Sequence, residues 1–130
     1  GKIQLLQMFL ASFQMEYGAR ICLGVVTSEM FESTGTSTED TEGLVDYTRS
    51  IDGVDIGVLI EKRSDGGLKA SLRAKDPIYR MDQVAAQFKG GGHSCAAGLN
   101  LKKDTENFRD QLVAALIAQI EAVEGKGKLS

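Results

Sequence analysis

Two short stretches of this sequence carry residue types suited to gripping an anion. In the first, Lys69, Ser71, Arg73 and Lys75 alternate with Leu68, Ala70, Leu72 and Ala74. Side chains alternate across a β-strand, so this spacing predicts three cations and a hydroxyl in one row, with the aliphatic residues facing the other way. Arg73 adds a planar fork that binds phosphate oxygens in pairs. A row of this composition also suits the solvated outer face of a sheet, and the strand alone leaves both readings open. The second stretch is Gly90-Gly91-Gly92-His93, which contains the only histidine of the chain. One glycine suffices to end a helix; the other two call for a separate reason, such as turning successive backbone N–H groups toward a ligand. His93 can donate to a phosphate or to a base edge. An exposed, flexible loop would have the same composition.

The chemistry these residues do not supply is equally informative. Metal-assisted phosphoryl transfer needs several carboxylates and histidines converging on one point. With one histidine, and with Asp40, Glu42, Asp46 and Asp52 scattered on or beside a helix, no catalytic residue and no metal site is expected within this chain. Cys22, His93 and Cys95 fall one ligand short of a closed zinc site. No phosphate-binding Walker loop, dinucleotide fingerprint or nucleophile elbow occurs.

The elements that must position these residues are legible from periodicity. Leu6, Phe9, Leu10 and Phe13 follow helical spacing between Ile3 and Met15, and Leu5 and Met8 add a second apolar strip. That second strip fits burial in the core, a neighbouring lobe or a second copy of the chain. Ala19 to Thr27 reads as a buried strand. A helical turn is expected over Ser28 to Glu32, then a polar loop whose Ser37 or Thr38 caps a helix carrying Leu44, Tyr47, Thr48 and Ile51. Val54 to Glu61 alternates as a strand, Ser64-Asp65-Gly66-Gly67 supplies a tight hairpin, and Leu68 to Lys75 returns antiparallel until Pro77. Met81, Val84, Ala85 and Phe88 form a short helix leading into the glycines, Leu99 and Leu101 mark a last strand, and Phe108 to Val123 builds a final helix whose tail should fray after Glu124. The expected fold class is α/β (α+β): a mixed β-sheet with a hairpin, covered by helices.

Bulk properties narrow the partners. A length of 130 residues with 42% hydrophobic content suits one domain with its own core. The net charge of −3 advertises neither a nucleic-acid coat nor a membrane surface, so any anion site must be local. No apolar run approaches the roughly 20 residues of a membrane span. Two cysteines do not make a disulfide framework, and a cytoplasmic protein is expected. A start at Gly1, followed at once by an apolar helix, sets the expectation of a piece of a longer protein.

The segment Gly90-Gly91-Gly92-His93, with Ala96-Ala97-Gly98 two residues on, preceded by a short helix ending in Phe88 and by Ser71-Leu72-Arg73 on a hairpin strand, resembles the signature of the DHH-associated C-terminal domain of DHH phosphoesterases. The resemblance covers the chain from about Ala19 to the last helix. It implies a two-lobed enzyme whose larger N-terminal lobe carries the aspartate-histidine-histidine motif and manganese, while the smaller lobe closes on the substrate. On that resemblance residues 1–16 would be a linker helix from an N-terminal DHH domain and residues 17–130 the substrate-binding domain. Ser71 and Arg73 would hold a terminal phosphate, and Gly90, Gly91, Gly92 and His93 would line the cleft. The substrates implied are short RNAs, linear dinucleotides such as pApA, or adenosine 3′,5′-bisphosphate, as in enzymes labelled RecJ-like or exopolyphosphatase-related. The fragment itself would carry no cofactor; its partners would be the nucleotide and its own DHH domain, with a homodimer as a further option. Ala74 departs from the family pattern, where many members have a second serine, which puts one hydroxyl contact in question. A related glycine-rich domain in alanyl-tRNA synthetase implies an alternative, a non-catalytic RNA-binding module, against which the acidic charge argues.

Overall fold

A computed structural model describes the backbone of residues 1–129 and the side chains of residues 1–125. The elements run α1 (Lys2–Ala11), β1 (Gln14–Glu16), β2 (Ile21–Thr27), α2 (Ser28–Thr34), a 3₁₀ turn (Thr38–Thr41), α3 (Leu44–Arg49), β3 (Ile56–Lys62), β4 (Leu68–Ala74), a second 3₁₀ turn (Pro77–Tyr79), α4 (Met81–Ala86), β5 (Gly91–Gly92), β6 (Ala96–Leu101) and α5 (Phe108–Leu129). The strands form one six-stranded sheet in the order β1-β2-β3-β4-β6-β5. Among the described residues only β2 and β3 pair in parallel; the other neighbours are antiparallel. The mixed, helix-covered sheet expected from the periodicity is thus the observed architecture. Among the described residues no helix is long and apolar enough to cross a membrane.

Strand alternation divides the sheet into two faces with different cover. On one face Ile21, Leu23, Ile56, Val58, Ile60, Leu68, Ala70, Leu72, Ala97 and Leu99 join Met81 and Val84 of α4 and Leu112, Leu116 and Ile120 of α5 in one core. On the other, Leu5 and Phe9 of α1, Val26, Leu44, Val45 and Leu59 form a second, smaller core. That core sits over β2 and β3, so β3 is buried on both faces from Ile56 to Glu61. The approach of α3 there is close enough to require glycine: a methyl on Gly57 would overlap Thr48 Oγ1 and stand 2.8 Å from Thr48 Cβ. Beyond β3 the cover thins, and β4 alternates between buried and half-exposed residues along its whole length.

Several boundaries differ from the sequence expectation. The first helix ends at Ala11, short of Met15. The Ser12 hydroxyl donates to the Phe9 carbonyl and accepts from Val25 N–H at 2.8 Å, tying the chain to β2, and Gln14–Glu16 becomes an edge strand. The buried strip of α1 is Leu5 and Phe9, while Leu10 lies largely exposed. A turn with Tyr17, Gly18 and Ala19 all at positive φ delays β2 to Ile21. Ser37 and Thr38 open a separate 3₁₀ turn, and α3 begins after Gly43 instead. Lys75 lies beyond β4, its Nζ donating to the Ile51 carbonyl at 3.3 Å, which shortens the cationic row to Lys69 and Arg73. The α5 backbone stays helical to Leu129, past the expected limit at Glu124.

One polar cluster pins the ends of these elements together. Arg20 Nε donates to Asp55 Oδ2 at 2.7 Å, its Nη groups reach Glu124, and the Tyr79 hydroxyl donates to Glu124 Oε2 at 2.9 Å. Hydrogen bonds donated to Glu124 and then to Asp55 hold the guanidinium firmly charged. The cluster joins the start of β2, the entry to β3, the second 3₁₀ turn and α5, so it acts as a structural clamp.

Candidate anion-binding site

The hairpin between β3 and β4 sets the register of the cationic row. Gly66 takes φ 89° and Asp65 Oδ1 accepts from Gly67 N–H at 2.8 Å, closing the turn. From there Lys69, Ser71 and Arg73 fall opposite Glu61, Leu59 and Gly57 on one side, and opposite Asn100, Gly98 and Ala96 on the other. These three side chains stand half-exposed on the uncovered part of the sheet and line one groove of about 370 Å³. Its opposite wall is Thr38, Glu39, Thr41, Glu42 and Gly43, from the loop that leads into α3. That wall is not legible from spacing, because the loop has no periodicity and its position follows only from the tertiary packing of α3.

Arg73 stands apart from the other arginines. Arg20, Arg49, Arg80 and Arg109 each meet a carboxylate, and Arg63 donates to Asn100 Oδ1 at 2.7 Å. Arg73 donates only to the carbonyl of its own neighbour Leu72, at 3.0 Å, so among the described residues its guanidinium meets no acid. Among the described residues the Ser71 hydroxyl and the Lys69 ammonium have no hydrogen-bond partner either. A half-buried guanidinium with its fork open, beside an open hydroxyl, is suited to accept the paired oxygens of a phosphate. Ala74, by contrast, is fully buried on the core face, so the missing serine takes nothing from this groove.

The glycine turn has a more specific explanation than chain flexibility. The left-handed residue that ends α4 is Lys89, φ 64°, and Gly90 N–H donates to the Ala85 carbonyl at 2.8 Å. A side chain on Gly90 would overlap the Gly98 carbonyl and come within 2.7 Å of Leu99 Cβ. Gly92 takes φ 142°, and a Cβ there would meet Ala97 Cα at 2.6 Å. Both positions are therefore glycine because β5 lies hard against β6. Gly91 has open space where a side chain would be, and sits opposite Gly98, in the transverse row of Ser71. The N–H groups of Gly90 and His93 bond within the fold, and Gly91 pairs with Gly98 in the β5–β6 ladder. Ser94 and Cys95 hold the turn through their main chains: the Ser94 carbonyl accepts from Met81 N–H at 2.8 Å and the Cys95 carbonyl from Ala74 N–H at 2.9 Å.

His93 exchanges two backbone hydrogen bonds with Ala96, and Ala96 pairs with Arg73, so the three residues form one row across neighbouring strands. At about 4.8 Å per strand the backbones of Arg73 and His93 are roughly 10 Å apart. Their side chains do not line the same concavity. His93 borders a shallower hollow of about 520 Å³ with Pro77, Ile78, Arg80, Asp82, Gly92 and Ser94. Arg80 is bound to Asp82 through two hydrogen bonds of 3.0 and 2.8 Å, which hold that carboxyl below the usual aspartate value. Between the two hollows β6 presents only the small residues Ala96 and Gly98. Among the described residues no three of His, Cys, Asp and Glu converge as a metal site would require.

The fold is a mixed α/β domain whose sheet is covered on both faces over one half and more open on one face over the other, with Lys69 and Arg73 on the more open part. Residues 22–122 match the DHHA1 domain, and the chain belongs to that family. Its relatives include the bifunctional oligoribonuclease and PAP phosphatase NrnA of Thermus thermophilus, 33% identical over 78 residues, which make up 60% of this chain and 23% of that protein. A probable enzyme of the same name from Streptococcus mutans is 25% identical over 83 residues, 64% of this chain and 26% of its own length. The chain thus spans about a quarter of these relatives. Among solved structures, an exopolyphosphatase-related protein from Bacteroides fragilis shares the fold with a TM-score of 0.83 at 22% identity, over 95% of this chain and 36% of that one. A pGpG-specific phosphodiesterase, PggH, from Vibrio cholerae aligns with a TM-score of 0.54 at 13% identity, over 93% of this chain and 39% of its own.

Proposed function

We propose that this domain is the substrate-binding lobe of a DHH phosphoesterase and that its open half-sheet holds the phosphate end of a short nucleotide. The observation that carries the reading is the guanidinium of Arg73, without an acid partner among the described residues, beside the Ser71 hydroxyl in a groove also lined by Val45 and Leu59 of the smaller core. A phosphate there gains charge-assisted hydrogen bonds from Arg73, each contributing about 1.5–3 kcal/mol. The nucleotide then crosses the bare backbone of Ala96, Gly98 and Gly91 toward His93, so that the two hollows serve two parts of one ligand. Short oligoribonucleotides, linear dinucleotides and nucleoside bisphosphates are the substrate class; the names of the NrnA relatives support it.

In this reading hydrolysis belongs to an N-terminal DHH lobe that holds manganese, and residues 1–16 connect that lobe to the domain proper. The relatives, about four times the length of their matched stretches, leave room for such a lobe. The intact enzyme would work in the cytoplasm. In the full-length enzyme Arg73→Ala should raise KM for substrates with a terminal phosphate about ten- to hundredfold, with kcat little changed. An unchanged KM removes Arg73 from the site, and turnover by the 130-residue chain alone contradicts the division of labour between lobes.

A further inference from the structure

We infer that Lys69 forms a second anion position in the Arg73 groove, so that the domain grips two consecutive phosphates of a nucleotide chain. The inference rests on the reading of Arg73 and Ser71 as a phosphate site and extends it to the length of the ligand. Lys69 lies on the same face of β4, four residues before Arg73, and lines the same groove. Along an extended strand their Cα atoms stand about 13 Å apart with Ser71 midway, a row long enough for two successive phosphates of an extended sugar–phosphate chain.

The state of the lysine is the second observation. Glu61 lies directly opposite it on β3, the position where a cross-strand ion pair would form. Instead Glu61 is buried at 3% exposure and its Oε2 accepts from Thr38 Oγ1 at 3.1 Å. Among the described residues Lys69 has no carboxylate within ion-pair distance. A half-buried ammonium pointing into a groove beside an open guanidinium and an open hydroxyl is a site for negative charge. The rival role for Lys69 is counter-charge to the buried Glu61, which concerns folding alone.

Titration of the 130-residue chain with AMP and with pApA, followed by NMR, separates these roles. The wild-type chain should bind pApA about tenfold more tightly than AMP. Lys69→Met should abolish that preference while leaving AMP affinity within twofold, and Lys69→Arg should restore it. Arg73→Ala should weaken both ligands. Equal affinity of the wild type for the two ligands, no binding of either, or a Lys69→Met chain that keeps the preference overturns the second position. A lower melting temperature with the preference intact assigns Lys69 to Glu61. If Arg73→Ala leaves both affinities unchanged, the terminal-phosphate reading fails, and the Lys69 result is judged on the pApA preference by itself.

Discussion

The two halves of the sheet are built from similar strands and treated differently. Over β2 and β3 helices cover both faces, and β3 carries six consecutive buried residues. Over β4, β6 and β5 the face toward α4 and α5 is fully covered and the other only in part, so that along β4 buried residues alternate with half-exposed ones. The covered half derives its rigidity from close approach, with Gly24 and Gly57 as the points where helices touch the strands. The open half borrows that rigidity to hold Lys69, Ser71 and Arg73 at fixed spacing in water. A binding face placed on a strand whose reverse side is core is held more precisely than one placed on a loop.

This contrast is broken most severely by filling the covered half. Gly57→Ala should destabilise the domain by about 3 kcal/mol, since the methyl overlaps Thr48 and the parallel β2–β3 pair cannot move away from α3. Urea denaturation measures it, and a loss under about 0.5 kcal/mol would show that α3 is loosely docked. Removing the clamp should cost less: Arg20→Met is expected to lose about 1–2 kcal/mol, because Asp55 and Glu124 sit about two-thirds buried and lose their cation. On the open half the same kind of measurement should register almost nothing. Ser71→Ala should change stability by less than about 0.5 kcal/mol while weakening phosphate binding a few-fold, which sharpens the division between folding and binding.

The cysteines give a further readout of the contrast. Cys22 lies fully buried in β2, and burial pushes its thiol up to about 11. Cys95, at the turn of the open half, is partly exposed. A thiol reagent at pH 8 should label Cys95 first and reach Cys22 only on unfolding, as read by intact mass. Early labelling of Cys22 would mean that the covered half opens readily.

The sequence made the open half more legible than the covered half. Alternation from Leu68 to Ala74 and the Ser64-to-Gly67 turn gave the strand, its direction and the face carrying Ser71 and Arg73, because period-2 patterning survives when one face meets water. In β3 both faces are buried, and nothing in Val54 to Glu61 announces which helix covers which side. Spacing alone extends the first helix to Met15 because Phe13 continues the apolar pattern, whereas the Ser12 side chain bonds across to β2 and the helix ends at Ala11. Three successive glycines signal a constraint, but at Gly90 and Gly92 that constraint is the close approach of β6, a tertiary fact that local reading assigns to a ligand. Arg20, Asp55, Tyr79 and Glu124 are too far apart in the chain to be linked by any spacing rule.

The central claim, that phosphate binds on the uncovered half of the sheet, is tested most directly by mapping amide shifts of the 130-residue chain during titration with a 5′-phosphorylated dinucleotide. The account predicts that the largest changes fall on Ser71, Arg73, Gly91 and Gly98, with β2 and the β3 residues beneath α3 unaffected. Changes concentrated on α1 and α2, or spread evenly over the surface, would contradict it.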